Sequence, residues 1–325
     1  MNMFRSFSML VLGWLALIGA AAAQQAYPNR LITVVVPYAP GGYYDSIARV
    51  VAPRLAEVLG QSVIVENKAG ASGILGTEFV ARAAPNGYTI MVGGIGPHSI
   101  NPSLFSKLPY DPVKDFAPIS LAATAPNILV VPAGSALRSV ADLVAAASAK
   151  PGTLNYASAG SGTSAHLAAE MFASAARVKL NHIPYKGSGP AVLAILAGET
   201  NMLFGTATDV FRHIRSGKLR ALAVTSNQRI PAFPDTPTLA EAGVPNAVAA
   251  GWYGFFAPAD TPKDVISVLS NSINKVLQSP AVKSVLSVEG TAEVIGSTPE
   301  VLASFLQAEI VKWREVVRIS GAKAD

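Results

Sequence analysis

The sequence predicts an α/β protein built from two similar lobes. Apolar, β-branched runs of strand length alternate with helix-periodic segments along most of the chain, as in parallel sheets covered by helices. A unit of strand, Gly/Ser loop and helix occurs at residues 34–49 and again at 154–170, about 120 residues later, with a third copy at 180–196. The 325 residues are half hydrophobic, enough for one large or two medium cores.

The first 23 residues stand apart from this pattern. Arg5 supplies a positive charge, residues 9–20 (MLVLGWLALIGA) are unbroken apolar, and Ala21-Ala22-Ala23 precedes Gln24 with the small residues of a cleavage site. This is the layout of a secretory signal peptide, with cleavage expected after Ala23 and export to follow. The run is too short for a spanning helix, which needs about 20 apolar residues. With no cysteine anywhere in the chain, a lipid anchor, disulfides, thiol catalysis and Cys-based metal sites are closed.

After the leader, residues 31–36 (LITVVV) read as a strand buried on both faces. A helix follows at 45–59, with Ile47, Val51, Leu55 and Val58 on one stripe and Pro53 as a candidate kink. Strands are expected at 62–66, 88–92, 128–131, 154–157, 180–183 and 219–225, and helices at 76–84, 140–149, 163–176 and 190–196. The proline-rich stretch 229–245 is a surface connection with a short helix at 238–242; a strand at 252–257 and helices at 263–278 and 299–319 close the chain.

The formal net charge is +5, from dispersed basic residues. The densest group, Arg212, His213, Arg215, Lys218 and Arg220, reads as a solvated helix end leading into a strand. It lacks the aromatic interleaving of a nucleic-acid face, so no nucleic-acid partner is expected.

Three loops could carry chemistry. Residues 154–166 (LNYASAGSGTSAH) contain a formal dinucleotide fingerprint, but the next strand lacks the acid that would hold a ribose. The remaining readings of this loop are an anion site made of backbone N–H groups at a helix start, or an ordinary N-cap. In the first loop, Gly41 and Gly42 open a helix and Asp45 favours its dipole; Tyr43 and Tyr44 either line a pocket or lie at the surface. The third loop places Lys186, Gly187 and Gly189 before Pro190 at a helix start. There is no G-x-S-x-G elbow or P-loop, and the four histidines lack metal-ligand spacing, so neither cofactor nor metal is expected. A hydrolase using Ser161 and His166 is disfavoured, because residues five apart at a helix start do not face each other as nucleophile and base.

Segments 34–49 (VVVPYAPGGYYDSIAR), 63–76 (VIVENKAGASGILG), 85–91 (PNGYTIM), 158–167 (SAGSGTSAHL), 183–191 (IPYKGSGPA), 217–226 (GKLRALAVTS) and 257–262 (APADTP) together resemble the Bug family. These are periplasmic substrate-binding proteins of tripartite tricarboxylate transporters, and the likeness runs from Tyr27 onward. It implies a type II periplasmic-binding-protein fold: lobe I from residues 24–127 plus 252–325, lobe II from 128–251, and a ligand cleft between them. It implies a monomer that binds a small anionic solute, a di- or tricarboxylate (or, given Tyr43 and Tyr44, an aromatic carboxylate), and docks on the membrane components of such a transporter. A sensing role for the same fold is the alternative. The carboxylate would be held by backbone amides, hydroxyls and water. Carried over by position, the loops at 38–45, 93–98, 158–166 and 185–189 border the cleft, and the implied binding residues are Tyr38, Ala39, Gly41, Gly42, Tyr43 and Asp45; Gly94 and His98; Ser158, Ala159, Gly160, Ser161, Gly162, Thr163 and His166; Tyr185, Lys186 and Gly187; and Thr206 and Asp209. The chain departs from the family in having Tyr43 and Tyr44 where small residues are usual, and Asn201 and Gly205 where aspartates are common.

Overall fold

The structure is a computed structural model that describes residues 27–323; the expected leader lies outside the described residues. In chain order the elements are β1 (Ile32–Val36), α1 (Tyr43–Leu59), β2 (Val63–Asn67), α2 (Ile74–Ala81) and β3 (Thr89–Gly94). A π turn, Gly96–Ile100, runs into α3 (Asn101–Leu104), followed by β4 (Phe116–Pro132), α4 (Val140–Ala149), β5 (Asn155–Ser158) and α5 (Ser164–Ala176). Next come β6 (Asn181–Pro184), α6 (Ser188–Ala197), β7 (Met202–Thr206), α7 (Ala207–Arg215) and β8 (Leu219–Val224). The chain closes with β9 (Ala250–Pro258), α8 (Lys263–Leu277), α9 (Pro280–Ser287), β10 (Glu293–Val294) and α10 (Pro299–Ser320).

These elements form two α/β lobes. In lobe I the strand order is β2-β1-β3-β9-β4, and in lobe II β4-β7-β5-β6 with β8 also on β4. The strands joined by crossover helices are parallel, β1 with β2 and β3, and β5 with β6 and β7. The long strand β4 belongs to both lobes. Its Phe116–Pro126 stretch pairs antiparallel with β9, and from Asn127 it pairs with β7 and β8. The sheets are therefore mixed rather than purely parallel, because the chain crosses between lobes on strands that run against the crossover units.

The expectation placed a strand only at 128–131, whereas β4 starts at Phe116. Pro118 and Pro126 argue against a central strand. The structure accommodates Pro118 at a register shift between Pro118 and Ser120, and Pro126 where the strand changes partners. Five elements were not expected: the short α3 and β10; β7, short and ending in Gly205-Thr206; α7; and α9, separated from α8 by the Ser279 cap. The helix expected at 238–242 is only a turn, closed by Ala242 N–H to Thr238 O. Pro53 does not break α1; it sits on the exposed face, where its missing N–H leaves the buried stripe of Ile47, Val51 and Leu55 intact.

Each lobe has one apolar cluster of its own, and a third runs through both. The third joins Val35 and Met91 of lobe I to Leu129 and Phe204 of lobe II through Trp252 and the α10 residues Leu302, Leu306 and Trp313. The C-terminal helix lies against β4, α3 and α5, and so braces the two lobes from behind the cleft.

Candidate functional site

Four helices of eight or more residues start at one cavity between the lobes. Gly42 caps α1, Thr163 caps α5, Ser188 opens α6 and Thr206 caps α7, and all four line the cavity. The remaining lining residues are Tyr38, Ala39, Tyr44, Ile95, Gly96 and Tyr253 from lobe I and Ala159, Ser164 and Ala165 from lobe II. Each helix start leaves backbone N–H groups without an intrahelical acceptor and carries a partial positive charge. None of the lining residues is charged. The wall thus offers helix-start amides and hydroxyls without a single lysine or arginine, which suits a carboxylate bound by neutral donors. The room left for water-sized molecules is about 30 Å³, little more than two waters need.

The lobe I loop is held from behind by Asp45. Its Oδ2 accepts from Gly41 N–H at 3.2 Å and from Arg49 Nε at 2.9 Å, and its Oδ1 accepts from Asn67 Nδ2 at 2.9 Å. Burial works against this carboxylate, but the bonds from Arg49, Asn67 and Gly41 outweigh it and hold the pKa below the usual aspartate value. Tyr43 and Tyr44 part company. Tyr43 is core: its ring meets Tyr253 edge-on at 4.9 Å and its hydroxyl donates to Leu286 O at 2.7 Å. Tyr44 turns into the cavity, between Tyr38 at 4.8 Å and Tyr253 at 4.6 Å.

The lobe II loop spends several of its donors on itself. Gly160 N–H donates to Ser158 Oγ at 3.1 Å, and Gly162 N–H to His166 Nδ1 at 3.1 Å. Thr163 N–H donates to Gly160 O, and His166 N–H to Thr163 Oγ1. The amides at the first two positions of α5 belong to Ser164 and Ala165, and both residues face the cavity. Ser158 Oγ lies 2.6 Å from His182 Nε2, and the His182 ring stacks between Tyr156 and His166. Fully buried and tied to the Gly160 amide, Ser158 shapes the loop rather than presenting a nucleophile.

The glycines of the first and third loops serve close approach of the lobes. Ala39 N–H donates to Lys186 O at 3.0 Å across the cleft. A Cβ on Gly189 would lie 2.6 Å from Pro40 O, and one on Gly42 3.1 Å from Ser188 Cβ, so these positions let the loops touch.

Of the residues singled out from sequence, Tyr38, Ala39, Gly42, Ala159, Thr163 and Thr206 line the cavity. Gly41, Tyr43, Asp45 and Asp209 line a neighbouring groove of about 430 Å³, and Gly160, Ser161, Tyr185 and Lys186 another of about 180 Å³. Gly94, Ser158, Gly162, His166 and Gly187 are buried behind the wall. His98 is also behind it, stacked on Phe256 at 4.1 Å; burial pushes its pKa down to about 3, so the ring is neutral. Asp209 meets lobe I: the Ser188 and Thr206 hydroxyls and Tyr43 N–H lie near it, and Thr208 Oγ1 donates to its Oδ1 at 3.4 Å. None of them completes a well-aligned bond to Oδ2, and burial pushes the carboxyl up to about 7. Ile95, Gly96, Ser164, Ala165 and Ser188, which also line the cavity, fall inside the loops the resemblance placed at the cleft, whereas Tyr253 was missed. Ser164, Ala165 and Ser188 were findable as the first residues of helices, but Tyr253 sits mid-strand and carries no local signal.

A cleft between two α/β lobes, walled by helix starts and hydroxyls, defines a solute-binding protein. The model of the tripartite tricarboxylate transporter family receptor matches residues 47–321, and the chain belongs to that family. Protein BugT of Bordetella pertussis is 40% identical over 326 residues, covering 99% of each chain. Among solved structures, the periplasmic binding protein BugD is 34% identical, with a TM-score of 0.87 over 92% of this chain and 100% of that one. A Rhodopseudomonas palustris protein solved with adipate is similar at 34% identity and a TM-score of 0.88, over 92% of this chain and 100% of its own. MatC from the same organism, with bound malate, is similar at 34% and 0.86, over 90% and 100%. The protein is a periplasmic solute-binding protein of this type, a binder and not an enzyme.

Proposed function

We propose that the protein captures a small carboxylate between its lobes and delivers it to the membrane components of a tripartite tricarboxylate-type transporter. The observation that carries this reading is the convergence of four helix starts, from both lobes, on one cavity whose wall has no charged side chain. A carboxylate there bridges the lobes, and contacts made only when they meet favour the closed state. Adipate and malate in two solved relatives support a carboxylate ligand. The proposed lobe boundaries, 24–127 plus 252–325 and 128–251, follow the change of partners in β4 at Asn127 and the return of the chain in β9. Within the cavity, Thr163, Ser164, Ala165, Ser188, Thr206 and the backbone N–H of Tyr44 are the proposed donors, and the protein acts as a monomer.

Calorimetry of ligand-stripped protein against mono-, di-, tri- and aromatic carboxylates tests the reading. Micromolar binding of one acid without turnover is the expected result, and silence toward all of them overturns it. Loss of uptake of that acid in a deletion strain supports transport; loss of gene induction with uptake intact assigns a sensing role instead.

A further inference from the structure

We infer that Tyr44 sets the length of solute the protein accepts, its ring filling the part of the inter-lobe cavity that the body of a longer carboxylate would occupy. This rests on the carboxylate reading above. Tyr44 is the second residue of α1, so its backbone N–H belongs to one of the helix starts while its ring crosses the cavity. The ring is wedged between Tyr38 at 4.8 Å and Tyr253 at 4.6 Å, both cavity residues. It cannot sink deeper, because its buried hydroxyl lies against Gly94, where an added Cβ would come within 2.5 Å of it. Gly94 in turn is fixed by its pairing opposite Tyr253 in the β3–β9 ladder. The space left beside the ring has room for only about two water-sized molecules. Tyr43, one position earlier, points the other way and donates to Leu286 O, so the limit belongs to Tyr44 alone of the pair.

The test is calorimetry of ligand-stripped wild type, Tyr44→Ala and Tyr44→Phe with acetate, succinate, adipate, suberate and benzoate. Tyr44→Ala is expected to shift the affinity ratio toward the longer acids by about tenfold or more, the scale on which a pocket discriminates added methylenes. Tyr44→Phe, which keeps the ring, should restore the wild-type ranking. An unchanged ranking in Tyr44→Ala overturns the inference while leaving carboxylate binding standing. Silence of every acid toward all three proteins overturns the carboxylate reading and this inference with it. If Tyr44→Ala does not fold, Tyr44→Leu serves, and a crystal structure with adipate must show its methylenes in the space the ring vacates; methylenes placed elsewhere overturn the inference.

Discussion

The two loops that open α1 and α5 have the same strand–loop–helix layout, but they use it differently. In the lobe II loop, the side chains serve the backbone: Ser158 and His166 tie down glycine amides, Thr163 caps the helix, and the cavity meets the next amides along. In the lobe I loop, Asp45 ties down the backbone from outside the cavity and a large side chain, Tyr44, is sent in. Under the proposed function, one loop supplies general anion-holding capacity and the other supplies shape. Equivalent loops can thus divide affinity from selectivity, and substitutions in each should fail in different ways.

The largest effect is expected in lobe II. Gly162 has φ +82°, and a Cβ there would collide with Asn101 Oδ1. Gly162→Ala should cost about 3 kcal/mol or more of stability by denaturant unfolding and abolish ligand binding, since the loop cannot keep its shape.

Asp45→Ala should cost about 2 kcal/mol, because the Gly41 amide and the Arg49 and Asn67 side chains lose a charged acceptor. The native Asp45 pKa is depressed, so its contribution is present above about pH 4 and lost as pH falls through the folded value. Part of the wild type's acid loss of stability should therefore be missing in the variant, as read by melting temperature against pH.

Asp209, where lobe II meets the start of α1, has the opposite sign. With a folded pKa raised to about 7, its protonated form stabilises the native state below about pH 4, and that contribution is lost as pH rises through 7. Asp209→Asn should flatten the melting profile across this window and raise the melting temperature at pH 8 by about 2–4 °C. A profile identical to wild type would mean that burial does not hold the carboxyl protonated.

The smallest effect sharpens the contrast between the paired tyrosines. Tyr43→Phe removes one buried hydrogen bond to Leu286 O and should cost about 1 kcal/mol without altering which solutes bind. A change in solute ranking would place Tyr43 in the pocket as well.

Local pattern was enough for α4, which spans 140–149 as expected, and for the capped start of α5, because hydrophobic period and capping residues are short-range signals. It was not enough for β4, where prolines are tolerated only because of the bulge and partner change that pairing creates. Gly205 and Asn201 show the same limit: Gly205 is required by the close packing of Val210, and Asn201 Oδ1 accepts from Asn155 N–H at 2.8 Å.

By itself the sequence determined two α/β lobes with helix starts at glycine- and serine-bearing loops, because periodicity, caps and turn residues act over a few positions. Only the tertiary structure decided which amides reach the cavity, that the paired glycines let the lobes touch, and that Tyr44 turns inward while Tyr43 joins the core. Those outcomes depend on contacts between residues as far apart as Tyr43 and Leu286, or Ala39 and Lys186, which no local pattern encodes.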